Sequence, residues 1–378
     1  MRIVVDENVP YGPEAFGGLG EVVTAPGRGI TRETVAEADA LVVRSITKVN
    51  EALLEGTPVK FVGTCTIGED HIDKAYLAAR NIGFSSAPGC NANSVAEYIV
   101  AALLVLSRKL GFSLPGATLG IVGVGNVGSR VLAKAEALGM TCVLNDPPLA
   151  ERTGDARYRP IEAIHACDVV TCHVPLEKSG AHPTWHLVDA EFIDAMKDGA
   201  ILFNSARGPV VDNAACNAAL ASGKLAACLL DVWEGEPDVD EELLRRVDIA
   251  SPHIAGYSFD GKVNGTKQVF NAMAAHFGTD ETWDPVPLLP EPECPALTLD
   301  AADPGALSKA VGAVYDIMAD DAAMRGLLDR PVDERRVFFD RLRKEYPRRR
   351  EFQNTVVALD GENDALRATL RGIGFQVR

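Results

Sequence analysis

Several features that would mark particular protein classes are absent from this sequence of 378 residues. Its most apolar stretch, residues 94–110, carries Glu97 and is shorter than a membrane-spanning helix requires, so no membrane partner is expected. The first residues lead from Met1 directly into a strand-like segment and contain no secretory signal pattern. These absences predict a cytoplasmic protein.

Paired cysteines and an excess of basic charge are lacking as well. The eight cysteines stand singly, with no C-x-x-C pair and no spacing typical of metal ligands, which predicts reduced thiols and no metal site. The 53 acidic residues outnumber the 37 basic ones and give a formal net charge of −16. This surplus argues against a nucleic-acid partner, although a local basic pocket for a small anion remains compatible with it.

What the sequence does contain is a dinucleotide-binding pattern in residues 118–146. A short apolar run is followed by Gly123, Gly125 and Gly128, then by a helical pattern and a second apolar run that ends on Asp146. The glycines permit a tight turn, close approach to a pyrophosphate and close packing of helix on strand. Asp146 can accept hydrogen bonds from ribose hydroxyls, and its charge would repel a 2′-phosphate. The predicted cofactor is therefore NAD.

Apolar runs of strand length alternate with helical segments on both sides of this pattern. The predicted strands include residues 3–5, 40–43, 60–62, 168–173, 200–205, 227–232 and 247–252. Such alternation predicts parallel sheets in an α/β fold, whose ligands bind beyond the carboxyl ends of the strands. A capping box of Ser94 and Glu97 predicts the start of a helix that runs to about residue 110. A second helix is predicted at 259–277, and both should cross between domains.

Polar side chains follow two of the predicted strands in the first hundred residues. Arg44 and Ser45 come directly after one strand, and Thr66 comes shortly after another. A guanidinium and hydroxyl groups at such positions can hold an anionic substrate. Ordinary loop chemistry explains them equally well when they are considered alone.

Four polar residues at strand ends in the second half of the fold suit hydride transfer at a 2-hydroxy acid. Arg207 can clamp a substrate carboxylate and polarise the C2 oxygen. His253 can take the proton of the C2 hydroxyl, and Glu236 can fix the imidazole tautomer and stabilise the imidazolium. Asp231 is better placed to orient the nicotinamide amide or ribose. Each alone is compatible with an ordinary loop residue, but their order after the glycine pattern favours catalysis.

Four segments resemble the D-isomer-specific 2-hydroxyacid dehydrogenase family, namely residues 123–128, 204–212, 230–237 and 251–256. The resemblance implies that Arg207, Glu236 and His253 are catalytic. It also implies two Rossmann-like lobes: a flavodoxin-like outer domain of residues 1–93 and 257–285 that binds substrate, and an NAD-binding domain of residues 94–256.

The binding residues follow from the glycine pattern and the resemblance together. The expected substrate contacts are Arg44, Ser45, Thr66 and Tyr257. The expected NAD contacts are Gly123, Gly125, Asn126, Val127, Gly128, Asp146, Val174, Asp231 and Gly256. Val174 departs from the family, in which threonine is usual at this point. A side-chain hydroxyl contact to NAD is therefore lost, and a contact through the backbone of Val174 is the one that can remain.

A proline-dense stretch at 285–295 predicts a linker to a small α+β C-terminal domain, residues 286–378. The tail resembles that of a branch of the family whose members oxidise a phosphorylated four-carbon hydroxy acid in vitamin B6 biosynthesis. This resemblance implies a homodimer formed through the C-terminal domain. The phosphate of such a substrate needs further cations, for which Arg44, Lys48 and, from a dimer partner, Arg349 or Arg350 are the expected candidates.

Two alternative functions are compatible with the same residues. One is a 3-phosphoglycerate dehydrogenase, which uses the same core chemistry but often carries a βαββαβ regulatory domain at its C-terminus. The tail here is predicted to open with helices and shows no hairpin signal, which disfavours that alternative. The other is a non-catalytic NAD(H)-sensing scaffold, which the strong negative charge and the lack of disordered extensions disfavour.

Overall fold

The computed structural model describes every residue from Met1 to Arg378. They fall into two units, one of residues 1–91 and 258–291 and the other of residues 92–257 and 292–378. These borders lie within a few residues of the predicted domain crossings at 93–94 and 256–257. The separate C-terminal domain at 286–378 stays a prediction.

The first unit is built on a five-stranded parallel sheet. Its elements are β1 (Arg2–Asp6), β2 (Glu21–Ala25), β3 (Ala40–Val43), β4 (Phe61–Thr64), β5 (Gly83–Ser85), α1 (Gly12–Phe16), α2 (Glu51–Leu54), α3 (Lys74–Ala79) and α10 (Phe259–Phe277). The strand order β2-β1-β3-β4-β5 is flavodoxin-like, as predicted. Strands β2 and β5 were not predicted, because they are edge strands whose side chains are mostly not buried.

Helix α10 has the bounds that the sequence predicts. Ser258 caps it by accepting a hydrogen bond from the Gly261 N–H at 2.8 Å, and Gly278 ends it in the left-handed region, at φ 67°. The helix packs closely on β4, where a Cβ added to Gly63 would lie 2.3 Å from Cγ1 of Val269. This contact ties the segment after residue 257 to the sheet formed by the first hundred residues.

The second unit contains a six-stranded parallel sheet. Its elements are β6 (Thr118–Val122), β7 (Thr141–Asn145), β8 (Val169–Cys172), β9 (Ala200–Asn204), β10 (Leu225–Leu230), β11 (Ile249–Ala250), α4 (Ala92–Leu110), α5 (Asn126–Ala137), α6 (Pro147–Thr153), α7 (Ala190–Ala195), α8 (Asn213–Ser222) and α9 (Glu241–Arg246). The order β11-β10-β9-β8-β6-β7 reverses between β6 and β8, and ligands of such sheets bind at this switch point. No helix of the chain has both the length and the apolar character needed to cross a membrane.

The last part of the second unit forms a three-stranded parallel sheet in the order β12-β13-β14. Its elements are β12 (Ala296–Asp300), β13 (Val356–Asp360), β14 (Gln376–Val377), α11 (Ala306–Val314), α12 (Ile317–Arg325), α13 (Val332–Lys344) and α14 (Asp364–Ile373). The expectation that this tail opens with helices is wrong, since β12 precedes them. Most side chains of β12 are exposed, which explains its weak apolar pattern. Helices connect the parallel strands, which agrees with the absence of a hairpin signal.

The predicted capping box at the start of α4 is also wrong. The helix begins at Ala92, so Ser94 lies inside its first turn. The Ser94 hydroxyl donates to Oε1 of Glu351 at 3.0 Å, and Glu97 accepts from the Phe352 N–H at 2.9 Å. These two residues therefore join α4 to the C-terminal segment instead of closing a helix end.

Glu97 is fully buried at this junction, and one of its carboxyl oxygens has no hydrogen-bond partner. Burial, together with the negative charge of Glu351, raises the pKa of Glu97 to about 8, although Lys134 and Arg349 act in the opposite direction. The folded chain therefore keeps a proton on Glu97 at neutral pH, whereas the unfolded chain loses it near pH 4.3.

We expect this difference to make stability depend on pH. The stability that protonated Glu97 contributes is fully present below the unfolded pKa and is lost as the pH rises towards about 8. In urea unfolding between pH 5.5 and 8.5, the free energy of unfolding of the wild type should fall as the pH rises. Glu97→Gln has a side chain that is neutral throughout this range, and it should largely abolish that fall. The exposed Glu136→Gln on α5 is the control and should keep the wild-type slope. Equal slopes for all three proteins would contradict the protonated state of Glu97.

Candidate active site

The glycine turn between β6 and α5 has the shape that a bound pyrophosphate requires. Gly123 has a φ of 87°, and a Cβ there would lie 2.8 Å from Cγ1 of Val174. A Cβ on Gly128 would lie 2.0 Å from the carbonyl oxygen of Gly123, so helix and strand pack too closely for any side chain. A Cβ on Gly125, in contrast, would meet nothing within 4 Å. The open space before Gly125, at the N-terminus of α5, therefore fits an anion such as a pyrophosphate.

The first turn of α5 and the end of β7 border the same space. Asn126 and Val127 begin α5, where backbone N–H groups have no partner within the helix. Asp146 accepts hydrogen bonds from the Leu149 N–H at 2.9 Å and, with its other oxygen, from the Val124 N–H at 2.8 Å. These bonds fix the carboxylate beside the glycine turn. Each carboxylate oxygen has a further lone pair with which it can accept from a ribose hydroxyl.

His173 and Val174 follow β8 on the other side of the switch point. The His173 ring is hydrogen-bonded to the Thr171 hydroxyl at 3.0 Å, and burial lowers the pKa of His173 to about 3. The imidazole is therefore neutral, and no pattern in the sequence indicates this environment. Val174 packs against the glycine turn through its aliphatic side chain, and its predicted contact with NAD stays a prediction.

Asp231 directly follows β10 and organises the loop after β11. It is buried, and one carboxylate oxygen accepts from the Ser251 hydroxyl at 2.6 Å and from the Ile254 N–H at 2.7 Å. The Ala255 N–H lies 3.1 Å from both oxygens. Burial raises the pKa of Asp231, while the nearby His253 acts to lower it. Asp231 thus fixes the backbone of Ile254 and Ala255, which directly follow His253. The sequence did not indicate this role.

His253 and Glu236 form a direct pair. The distance between Nδ1 of His253 and Oε1 of Glu236 is 2.5 Å, and the other Glu236 oxygen accepts from the Trp233 N–H at 3.1 Å. Burial alone would raise the pKa of Glu236, but the charge of His253 and these hydrogen bonds bring it below its usual value. Glu236 is therefore an ionised carboxylate beside the imidazole.

The backbone of His253 is unusual, with a φ of 59°. Residues other than glycine enter this left-handed region at a cost of about 1 kcal/mol or more, and such residues cluster at functional sites. The hydrogen bond from the His253 N–H to the Asp231 carbonyl oxygen, at 2.7 Å, helps to maintain this conformation. In this backbone conformation, the His253 ring lies within hydrogen-bond distance of Glu236.

Arg207 lies in the loop after β9, the strand next to β10. The Asn204 amide closes this loop by donating to the Arg207 carbonyl oxygen at 3.0 Å and accepting from the Ala206 N–H at 3.0 Å. A Cβ on Gly208 would lie 2.0 Å from the Trp233 carbonyl oxygen, so the loop touches the segment that carries Glu236. The three predicted catalytic residues thus follow the neighbouring strands β9, β10 and β11 at one edge of the sheet.

Tyr257 and Gly256 lie just beyond this cluster. Gly256 is half-buried between the Asp231-bound Ala255 and Tyr257. The Tyr257 ring packs edge-on against Tyr346, with 5.8 Å between the ring centroids. Its hydroxyl accepts a hydrogen bond from Arg343 at 3.2 Å. The sequence does not point to Arg343, because nothing in the arginine-rich tail distinguishes it from its neighbours.

The predicted substrate contacts of the first unit follow β3 and β4. Arg44 donates to the Asn8 carbonyl oxygen at 3.2 Å, and Ser45 is exposed. The Thr66 hydroxyl lies 2.8 Å from that of Thr64 and donates to the Gly68 carbonyl oxygen at 3.0 Å. These residues have the strand-end positions that the sequence predicts, and their contacts with substrate stay predictions.

Arg349 and Arg350 do not have the surroundings expected of them. Arg349 is 6% exposed and donates to the Ala255 carbonyl oxygen at 3.1 Å, while its guanidinium carbon lies 4.0 Å from the centroid of the Tyr315 ring. Arg350 is 7% exposed and donates to the Asn354 side chain at 2.8 Å. Both are buried within their own chain, so the expectation that either reaches the substrate of a dimer partner is wrong.

Comparison with known protein families finds two matches along the chain. Residues 102–255 match the family described as D-isomer specific 2-hydroxyacid dehydrogenase, NAD binding domain. Residues 288–374 match a domain family of unknown function. The first match contains the glycine turn and all three predicted catalytic residues.

Curated relatives extend the likeness over almost the whole chain. Erythronate-4-phosphate dehydrogenase of Salmonella arizonae is 50% identical over 377 residues, which are 99% of this chain and 98% of that protein. The enzyme of the same name from Yersinia pestis is 48% identical over 99% of both chains. Among solved structures, D-lactate dehydrogenase from Aquifex aeolicus, complexed with NAD and lactic acid, is 28% identical, with a TM-score of 0.59 over 73% of this chain and 95% of that one. The chain therefore belongs to the D-isomer-specific 2-hydroxyacid dehydrogenase family, in the group of the erythronate-4-phosphate dehydrogenases.

Proposed function

We propose that this protein oxidises 4-phospho-D-erythronate to (R)-3-hydroxy-2-oxo-4-phosphooxybutanoate with NAD, a step in the synthesis of pyridoxal 5′-phosphate. The observation that carries the proposal is the pair of His253 and Glu236, 2.5 Å apart. They follow β11 and β10, which stand in sequence beside β9, the strand that Arg207 follows. The substrate follows from the curated relatives, which are 50% and 48% identical over 99% of the chain.

His253 is the proposed acid–base group. Its Nδ1 is engaged by Glu236, which leaves Nε2 to take the proton from the C2 hydroxyl of the substrate as hydride departs. In the reverse direction the imidazolium returns this proton. The ionised Glu236 fixes the tautomer and stabilises the positive charge that develops on the ring.

Arg207 is the proposed anchor of the substrate carboxylate. Its planar guanidinium can donate two parallel hydrogen bonds to a carboxylate and can also polarise the adjacent C2 oxygen. The backbone of this residue is held by Asn204 and by the close approach of Gly208 to Trp233. A fixed anchor of this kind brings C2 to His253 in one orientation.

The proposed NAD contacts surround the glycine turn and the end of β10. When bound, NAD supplies the nicotinamide carbon that accepts hydride from C2. Gly125 leaves room for the pyrophosphate, and Asp146 accepts hydrogen bonds from the adenosine ribose. The Asp231 oxygen that contacts only the Ala255 N–H is the one proposed to orient the nicotinamide end.

We expect Asp146→Asn to reduce the selectivity of the enzyme for NAD over NADP. The amide keeps the size of the side chain, and its oxygen can still cap α6, although its NH2 group cannot accept from the Val124 N–H. It lacks the charge that repels a 2′-phosphate. The ratio of kcat/KM for NAD to that for NADP should fall by about tenfold, equivalent to roughly 1.4 kcal/mol. The exposed Glu151→Gln on the same helix is the control for charge alone. An unchanged ratio in Asp146→Asn would contradict the proposed ribose contact.

Three further assignments belong to this proposal. Arg44, Ser45, Thr66 and Tyr257 are proposed to contact substrate, with Lys48 as a further cation for the phosphate. Residues 286–378 are proposed to form a domain that makes a homodimer. The reaction itself consumes soluble metabolites and is proposed to occur in the cytoplasm.

A competition of substrates tests the function. NADH absorbance is followed with 4-phosphoerythronate, 3-phosphoglycerate and D-lactate, each over a range of concentrations. The proposal expects the highest kcat/KM for 4-phosphoerythronate. Equal or greater kcat/KM for either of the other acids would overturn the substrate assignment, and NAD binding without turnover of any of the three would favour a sensing scaffold.

A further inference from the structure

Arg343 projects from α13, in the C-terminal part of the chain, to the loop that carries His253. Its Nη2 donates to the Tyr257 hydroxyl at 3.2 Å, and its guanidinium carbon lies 5.9 Å from the centroid of that ring. Tyr257 stands four positions after His253, and the backbone between them is bound to Asp231. The hydrogen bond to Tyr257 therefore holds the guanidinium beside the loop that carries His253.

No carboxylate neutralises Arg343 by direct contact. Its hydrogen bond goes to a neutral hydroxyl, and its buried Nε has no hydrogen-bond partner. Other arginines of the tail do pair with acids, such as Arg325 with Asp321 at 2.8 Å and Arg335 with Glu241 at 2.8 Å. Burial of a guanidinium whose N–H donors lack partners costs free energy of folding, and a ligand that accepts from those donors offsets this cost.

The charges around Arg343 relate it to the site formed by Glu236 and His253. Its charge is near enough to Glu236 to contribute to the lowered pKa of that carboxyl group. In the proposed reaction, Arg207 is occupied by the substrate carboxylate, and the phosphate carries close to two further negative charges at pH 7. A second permanent cation that is bonded to Tyr257 and acts on the charge of Glu236 meets that need within the same chain.

We propose that Arg343 binds the phosphate of the substrate and so determines specificity for a phosphorylated hydroxy acid. The Tyr257 hydroxyl holds the guanidinium in place and can itself donate to a phosphate oxygen. The phosphate is thus bound by an arginine from the C-terminal segment of the same chain, and not by Arg349 or Arg350 of a dimer partner. This inference rests on the proposed function.

The test compares Arg343→Gln with the wild type on 4-phosphoerythronate and on unphosphorylated D-erythronate. The loss of charge-assisted hydrogen bonds should raise KM for the phosphorylated acid by about ten- to a hundredfold. The kinetic constants for D-erythronate should stay within about twofold. Inorganic phosphate should inhibit the wild type competitively and inhibit Arg343→Gln at least tenfold less well. Lys344→Gln, an exposed neighbour on α13, removes the same charge and should leave all of these values unchanged.

The outcomes separate this inference from the function on which it rests. If Arg343→Gln lowers kcat equally for both acids and leaves KM for the phosphorylated acid unchanged, Arg343 only positions Glu236 or Tyr257, and the inference fails. If the wild type does not prefer 4-phosphoerythronate to D-erythronate, the proposed function itself fails. Should Arg343→Gln not fold, Arg343→Lys provides the same comparison, because a lysine keeps the charge but loses the planar fork. It should then raise KM for the phosphorylated acid alone by about threefold or more.

Discussion

Replacement of His253 by glutamine is expected to lower kcat by about a hundredfold or more, the usual contribution of an acid–base group. Glutamine can keep a hydrogen bond to Glu236 but cannot accept the proton of the C2 hydroxyl. Stopped-flow or steady-state NADH formation with 4-phosphoerythronate measures the effect. KM should change much less than kcat, because glutamine leaves Arg207 and its loop in place.

The chain offers a matched control in His186. This residue also has a positive φ, of 49°, and its ring is also paired with a glutamate, Glu234, at 2.7 Å. His186→Gln removes a similar pair but no proposed catalytic group, so kcat should stay within about twofold of the wild type. A His253→Gln enzyme with near wild-type turnover would refute the acid–base role.

The glycines of the dinucleotide turn are expected to respond to alanine in two different ways. A Cβ at Gly128 would lie 2.0 Å from a backbone oxygen, so Gly128→Ala must move the helix or the strand. We expect a loss of about 3 kcal/mol in the free energy of unfolding. For a unit of this size, that loss lowers Tm by roughly 6–12 °C.

Gly125→Ala is the matched partner of that variant. Its Cβ has open space around it, so Tm should change by no more than about 2 °C. The methyl group would stand where the pyrophosphate is proposed to lie, and Kd for NAD should rise at least tenfold, or about 1.4 kcal/mol. Calorimetric titration with NAD and thermal unfolding without it separate the two effects. Equal NAD affinity in Gly125→Ala and the wild type would place the pyrophosphate elsewhere.

Much of the candidate site could be predicted because it is local in sequence. In a parallel sheet, the residues after each strand reach the same edge, so recognition of strands β9, β10 and β11 was enough to group Arg207, Glu236 and His253. The pattern of strands buried on both faces is strong in the chain, and edge strands such as β2 and β12 were missed because their side chains are mostly not buried.

The contacts of the C-terminal segment could not be predicted in this way. Ser94 and Glu97 have the spacing of a capping box, but their partners Glu351 and Phe352 lie more than 250 positions away. A local pattern cannot reveal such partners, because the hydrogen bonds form only when α4 packs against the tail. Arg349 was misjudged for the same reason, since its burial depends on Tyr315 and on the loop after β11.

The sequence by itself determined the class of fold, the dinucleotide turn and the three residues of the proposed chemistry, because each depends on spacing along one strand and the loop after it. Only the tertiary structure decided which partners Ser94 and Glu97 take, which aspartate holds the His253 loop and which tail arginine meets Tyr257. These are questions of distance between segments far apart in the chain, and packing alone sets those distances.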